Sequence, residues 1–180
     1  MGAAALSVGD ILGKVIGFII LPYLTAHLGA SGYGALTLYL SVIQILIIFI
    51  SFSGQGLLPV KYIQEGEGSS LVFRRDNITL AFASSVLLMA IFYIVTLVAK
   101  ISVSFSDGFL VVLASLAQAL NFINLSHLRI SQTYKVAAIG QFLLSAFNVL
   151  FTIALFEMIA ATPGQRLIAI AASFFSIQLA

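Results

Sequence analysis

Apolar residues in this chain come in long blocks rather than in the alternation of a half-buried strand. Five blocks run from Ser7 to His27, Ala35 to Leu58, Thr79 to Ala99, Gly108 to His127 and Ala137 to Ile159. About 20 apolar residues in a helix cross the roughly 30 Å hydrocarbon core of a bilayer. A sixth block starts near Arg166 and is still apolar at Ala180. At 1.5 Å per residue it reaches only about 22 Å, less than the core thickness. The expected fold class is therefore all-α integral membrane. It is a polytopic helix bundle of about six transmembrane helices, with the last one truncated, and the chain reads as the front part of a longer protein.

The connections predicted between these helices are short and polar: His27 to Gly34, Lys61 to Asn77, Lys100 to Asp107, Arg129 to Val136 and Ala161 to Gln165. Glycines 29, 32 and 34 crowd the first, and Pro163-Gly164 marks the fifth as a turn. In the second, Leu71-Val72-Phe73 beside Arg74-Arg75 suits the membrane interface. The Asn77-Ile78-Thr79 triplet fits a glycosylation sequon, but its place at a cytoplasmic membrane edge makes chance the better reading. The first block lacks the basic start of a signal peptide. Its small residues, Ala3 to Ala5, precede the apolar run rather than follow it. It reads as a retained transmembrane helix.

Composition narrows the class further. Of 180 residues, 61% are hydrophobic and 8% charged, with no Cys and no Trp. A soluble chain has about 25% charged residues. With so few charges and a mean hydropathy of +1.16, a soluble enzyme is excluded. The absence of Cys excludes disulfides, thiolate metal sites and a Cys nucleophile. The net charge of +2 says little, but its distribution gives an orientation. Connections two and four hold Lys61, Arg74, Arg75, Arg129 and Lys135, whereas the odd side holds Lys100 and Arg166. The positive-inside rule then puts the even connections and the N-terminus in the cytoplasm of a multi-pass bacterial inner-membrane protein. Tyr23, Tyr33, Tyr62 and Tyr134 lie near predicted helix ends, where amphipathic rings belong.

Polar residues inside the blocks fall on faces. Gln141, Ser145, Asn148 and Thr152 share one face of the fifth helix, and Thr37, Ser41, Gln44, Ser51 and Gln55 share one of the second. Gln118, Asn121 and Asn124 lie within two turns of the fourth. Such amides either glue helices together or line a polar cavity. In the first helix, Asp10 and Lys14 form an i,i+4 acid–base pair on a face shared with Ser7, Gly17 and Thr25. An ionised side chain near mid-bilayer costs about 2.5–3.5 kcal/mol on insertion scales, so this pair is a candidate substrate or ion site. The alternative is a neutralised pair that locks the helix to a neighbour. Asp10, Lys14, Gln44, Gln118, Asn121, Gln141 and Asn148 are thus the candidate pathway residues. Gly13, Gly17, Pro22, Gly54 and Gly56 are candidate hinge or packing positions.

Enzyme signatures are missing. His27 and His127 belong to no HExxH motif, and the glycines from 29 to 34 lack the GK[ST] of a phosphate loop. No Ser–His–acid arrangement is evident, and no enzyme activity, metal, cofactor or nucleic-acid partner is expected.

The segments GDILGKVIGFIILPYLTAHLG and ASGYGALTLYLSVIQILIIFISFSGQGLLPVKYIQE resemble the N-terminal region of bacterial polysaccharide biosynthesis proteins. These are the O-antigen and exopolysaccharide repeat-unit flippases of the multidrug/oligosaccharidyl-lipid/polysaccharide exporter superfamily. The resemblance rests on the Leu-Gly turn closing on Tyr33-Gly34, the Gly54/Gly56 break and the basic-aromatic exit at Lys61-Tyr62. LRISQTYKVAAIGQFLLSAFNVLFTIAL resembles the family's basic connection into helix five. The resemblance implies a two-lobe exporter fold of twelve to fourteen helices working by alternating access, with residues 1–180 as its N-terminal transmembrane lobe. It also implies an undecaprenyl-pyrophosphate-linked oligosaccharide as substrate, with Lys14 facing the diphosphate or acidic sugars. Membrane lipid, a polysaccharide polymerase and other assembly proteins are the implied partners. Two rival readings stay open. One is a cation-coupled multidrug exporter of the same superfamily that uses Asp10 as its ion site. The other is a non-transporting membrane assembly protein whose polar stripes are all glue.

Overall fold

The computed structural model describes residues 2–52, 54–99, 104–131, 133–159 and 161–178, without the side chains of 2–10, 12, 99, 177 and 178. Every element among them is a helix: α1 (Gly2–Ser51), α2 (Gly54–Glu65), α3 (Glu67–Ala99), α4 (Phe105–Ile130), α5 (Tyr134–Met158) and α6 (Pro163–Gln178). Four helical stretches are long and apolar enough to cross a membrane: Gly13–Glu65, Glu67–Val98, Phe105–Ile130 and Tyr134–Met158. The first of these is long enough for two crossings. Phe18, Ile19, Val86, Leu87 and Val98 are exposed, as lipid-facing residues would be. The fold is an all-α polytopic membrane fold.

The first two predicted helices are joined more tightly than expected. Instead of a loop over 27–34, a single residue makes the corner: Gly29, at φ 66° and ψ 178°, inside an otherwise continuous α1. Only glycine adopts that backbone region without large strain, so one residue replaces the loop. Gly32 and Gly34 are helical, and a Cβ on Gly32 would lie 3.2 Å from Leu28 Cβ.

The second predicted connection differs more. Residues 61–77 are almost wholly helical, with a one-residue elbow at Gly66 (φ 88°) between α2 and α3. Gly66 N donates to Tyr62 O at 3.0 Å, closing α2 with a left-handed glycine cap. Polarity alone suggested a loop, but Glu65 accepts from Lys61 within α2 and from Ser69 across the elbow. The break late in predicted helix two lies at Phe52 (φ 44°), just before Gly54. Gly54 is itself a packing residue, because a Cβ there would collide with the Asn77 side chain. Asn77 is buried, which leaves its sequon out of reach.

Two compact units make up the chain: Ser41–His127, and Met1–Leu40 with Leu128–Ala180. In the Ser41–His127 unit, α4 is the most enclosed helix, with Val111, Ala114, Leu116, Ala117, Leu120 and Ile123 buried. A Cβ on Gly108 would strike the Phe92 ring, so α3 and α4 approach closely there. One helix defect is repaired by a hydroxyl. Pro59 cannot donate to the carbonyl of Gln55, four residues back, and Ser126 Oγ donates to it instead at 2.7 Å. Buried Ser84 Oγ bonds back to the Leu80 carbonyl of its own helix at 2.8 Å and lies 3.2 Å from the carbonyl of Ile50, at the end of α1.

The other unit has its core at Ile20, Leu24, Leu36 and Phe156, with Tyr23, Leu28, Tyr33 and Val149 packed on it. Here α5 and α6 pack together as a helical hairpin. Thr162 caps α6 by accepting from Gln165 N at 3.2 Å, and Pro163 takes the first helical position, where no N–H is needed.

Candidate functional site

The predicted pathway residues divide between the two units. In the Ser41–His127 unit, Gln118, Asn121 and Asn124 form a row of amides along α4. Gln44 Nε2 donates to Gln118 Oε1 at 3.5 Å, the outer limit of a hydrogen bond. One turn beyond half-buried Asn121, Asn124 Oδ1 accepts from Arg74 Nε at 3.1 Å and Nη2 at 2.8 Å. The α4 row therefore meets α1 at one end and α3 at the other. Gly56, on α2, has open space where a Cβ would stand.

In the second unit, Lys14 is exposed on α1, and the side chain of Asp10 lies outside the described residues. Whether the two pair is therefore not described. Gly13 is a close-approach point, since a Cβ there would lie 2.8 Å from Ser145 Oγ. Gly17 has open space around it, and Pro22 is exposed within the helix, with Thr25 Oγ1 donating to its carbonyl at 2.9 Å.

The polar face of α5 is not uniform. Gln141 is half-buried, and its carbonyl accepts from Ser145 Oγ at 3.1 Å. Further along, Asn148 and Thr152 turn to α6: Asn148 Nδ2 donates to Ser173 Oγ at 3.2 Å. Arg166 Nη1 donates to the Asn148 carbonyl at 3.3 Å and also to Thr152 Oγ1. This half of the face is engaged by helix–helix hydrogen bonds.

Sequence reasoning missed two cations, Arg74 and Arg166. Arg74 was assigned to a connection and Arg166 to the start of the sixth span, yet both side chains fold back to a neighbouring helix with neutral acceptors. Nothing in the sequence separates an Arg folded onto a neighbouring helix from one that only marks the membrane edge. Neither is in the ion pairs found among the described residues, Lys61–Glu65 and Arg75–Asp76. No group of three metal-ligating side chains occurs among the described residues.

The family model for polysaccharide biosynthesis protein matches residues 1–178, nearly the whole chain. The chain belongs to this family. It is 29% identical over 154 residues to "Lsg locus putative protein 1" of Haemophilus influenzae, a match covering 83% of this chain and 35% of that protein. It is also 32% identical over 62 residues to an "Uncharacterized membrane protein" of the same organism, covering 34% of this chain and 15% of that protein. The chain thus spans about a third of the length of the longer-matched relative. No solved structure matches it. Family membership agrees with the apolar helices: this is a membrane protein of polysaccharide biosynthesis, the class in which transporter and flippase roles occur.

Proposed function

We propose that the chain is the N-terminal lobe of a flippase in the bacterial inner membrane. It turns an undecaprenyl-pyrophosphate-linked oligosaccharide from the cytoplasmic to the periplasmic leaflet for O-antigen, capsule or exopolysaccharide synthesis. The observation that carries the reading is the family match over residues 1–178. The amide row Gln44–Gln118–Asn121 on membrane-crossing helices supports it, because polar side chains at such depth need polar partners or a hydrated path. Lys14, exposed on α1, supplies the positive charge that an anionic diphosphate requires. A polysaccharide polymerase and other assembly proteins are the proposed partners.

The direct test is reconstitution of the protein in liposomes carrying a fluorescent polyprenyl-diphosphate oligosaccharide, scored by quencher access from outside. Protein-dependent movement between leaflets is expected. Movement of a cationic drug against an ion gradient, with no movement of the glycolipid, would favour the multidrug-exporter reading.

The orientation is tested separately. Single cysteines at Gln64 and Ser104, both exposed, are labelled in whole cells with an impermeant thiol reagent. Ser104 should label and Gln64 should not, with the N-terminus and α2–α3 elbow cytoplasmic. The reverse pattern would invert the topology.

A further inference from the structure

At the start of α6, two polar atoms are buried with no hydrogen-bond partner among the described residues: Arg166 Nε and Gln165 Oε1. One side of the guanidinium is already fixed, because Nη1 donates to the Asn148 carbonyl at 3.3 Å and to Thr152 Oγ1. Both acceptors are neutral. The ion pairs found among the described residues leave Arg166 out, and its Nε is buried without an acceptor. Arginine cannot shed its proton to relieve this, and an uncompensated buried charge is among the costliest states a side chain can hold.

Which edge of the guanidinium lacks a partner matters. With Nη1 held by α5, the Nε–Nη2 edge presents two parallel N–H donors, the fork that fits two oxygens of a phosphate or carboxylate. The positive end of the α6 dipole adds to the attraction for an anion. The neighbouring Gln165 oxygen is an unused acceptor and suits a ligand that carries hydroxyls beside its acidic group. Depth narrows the choice. Thr152 lies six residues inside the end of α5 at Met158, about 9 Å along the helix. A group tethered to a lipid reaches that level more readily than a free aqueous ion.

We propose that Arg166 binds the phosphate of a membrane amphiphile through its Nε–Nη2 edge, with α5 holding the guanidinium in place. Two sources share this chemistry: an anionic phospholipid and a polyprenyl diphosphate. The phosphate site stands without the transport reading; its polyprenyl form rests on that reading and deepens it.

The purified full chain in non-ionic detergent is titrated with dioctanoylphosphatidylglycerol, farnesyl diphosphate, dioctanoylglycerol and inorganic phosphate, following bound adducts and melting temperature. At least one phosphate amphiphile should bind saturably and raise the melting temperature, while dioctanoylglycerol and inorganic phosphate do not. Arg166→Gln should weaken that binding tenfold or more, Arg166→Lys less, and Arg75→Gln, at an exposed position, less than twofold. Preference for phosphatidylglycerol assigns the bilayer lipid, and preference for farnesyl diphosphate assigns the carrier.

Equal binding by parent and Arg166→Gln, or equal binding of inorganic phosphate, would overturn the proposal. Arg166-dependent binding, with no glycolipid movement by the full-length two-lobe protein, would retain this site and remove the flippase reading.

Discussion

Arg74 and Arg166 have the same chemistry in different settings. Arg74, in the Ser41–His127 unit, gives its Nε–Nη2 edge to one side-chain oxygen of Asn124. Arg166, in the other unit, keeps that edge unused and is anchored by Nη1 alone. The first is a staple between α3 and α4. The second is anchored on one side, with a buried Nε that has no partner among the described residues. Burial alone would not separate them; which nitrogens are engaged does.

If Arg74 is a staple, its loss should give the largest stability effect. Arg74→Gln is expected to cost about 1.5–3 kcal/mol, the range for hydrogen bonds to charged groups. A double-mutant cycle with Asn124→Ala should show coupling of about 1 kcal/mol or more, read from denaturation in detergent. Ligand-free Arg166→Gln should cost less, because the loss of its Nη1 bonds is offset by removing a charge with no ion-pair partner among the described residues. Equal costs at the two arginines would erase the distinction.

The tightness of the Ser41–His127 unit is tested next by Gly54→Ala. Its Cβ meets Asn77, so a loss of about 1–3 kcal/mol from overpacking is expected. The same change at Gly56, where a Cβ meets open space, should cost nothing and sharpens the contrast. Ser126→Ala is expected to cost about 1 kcal/mol by leaving the Gln55 carbonyl without its donor. In a Pro59→Ala background, where the backbone N–H can serve that carbonyl, the penalty should shrink. An unchanged penalty would show that Ser126 acts by packing. The smallest effect belongs to Gln44→Leu, whose 3.5 Å contact is worth about 0.6 kcal/mol, the average for interhelical polar pairs in membranes.

The all-helical membrane class was legible because blocks of apolar residues have one physical solution in a bilayer. The joints were less legible. Polar residues from Lys61 to Asn77 read as a loop, yet polar residues outside the hydrocarbon form helix as readily as coil, and only Gly66 needed a left-handed backbone. Glycines at 29, 32 and 34 looked equivalent, and only the backbone angles single out Gly29 as the corner. The α5 stripe was legible as polar, but its division was not. Ser145 lies against Gly13, whereas Asn148 and Thr152 turn to α6, which depends on where Arg166 reaches. Arg166 itself was counted only for its charge at the start of the sixth span, because a sequence gives the position of a Cα and not of the guanidinium at the end of a long side chain.

If the positive charge of Lys14 serves an anionic lipid-linked glycan, as proposed, export depends on that charge. This dependence is tested by surface glycan per cell, measured with membrane-fraction abundance in cells lacking their own copy of the gene. Lys14→Arg should retain export, while Lys14→Gln and the double change Asp10→Asn/Lys14→Gln should abolish it at unchanged protein level. A structural pair would behave oppositely, since a lone buried ion is costlier than none. Near-normal export by the double variant, with the single variants poorly expressed, would contradict the account and leave Asp10 and Lys14 as a packing pair.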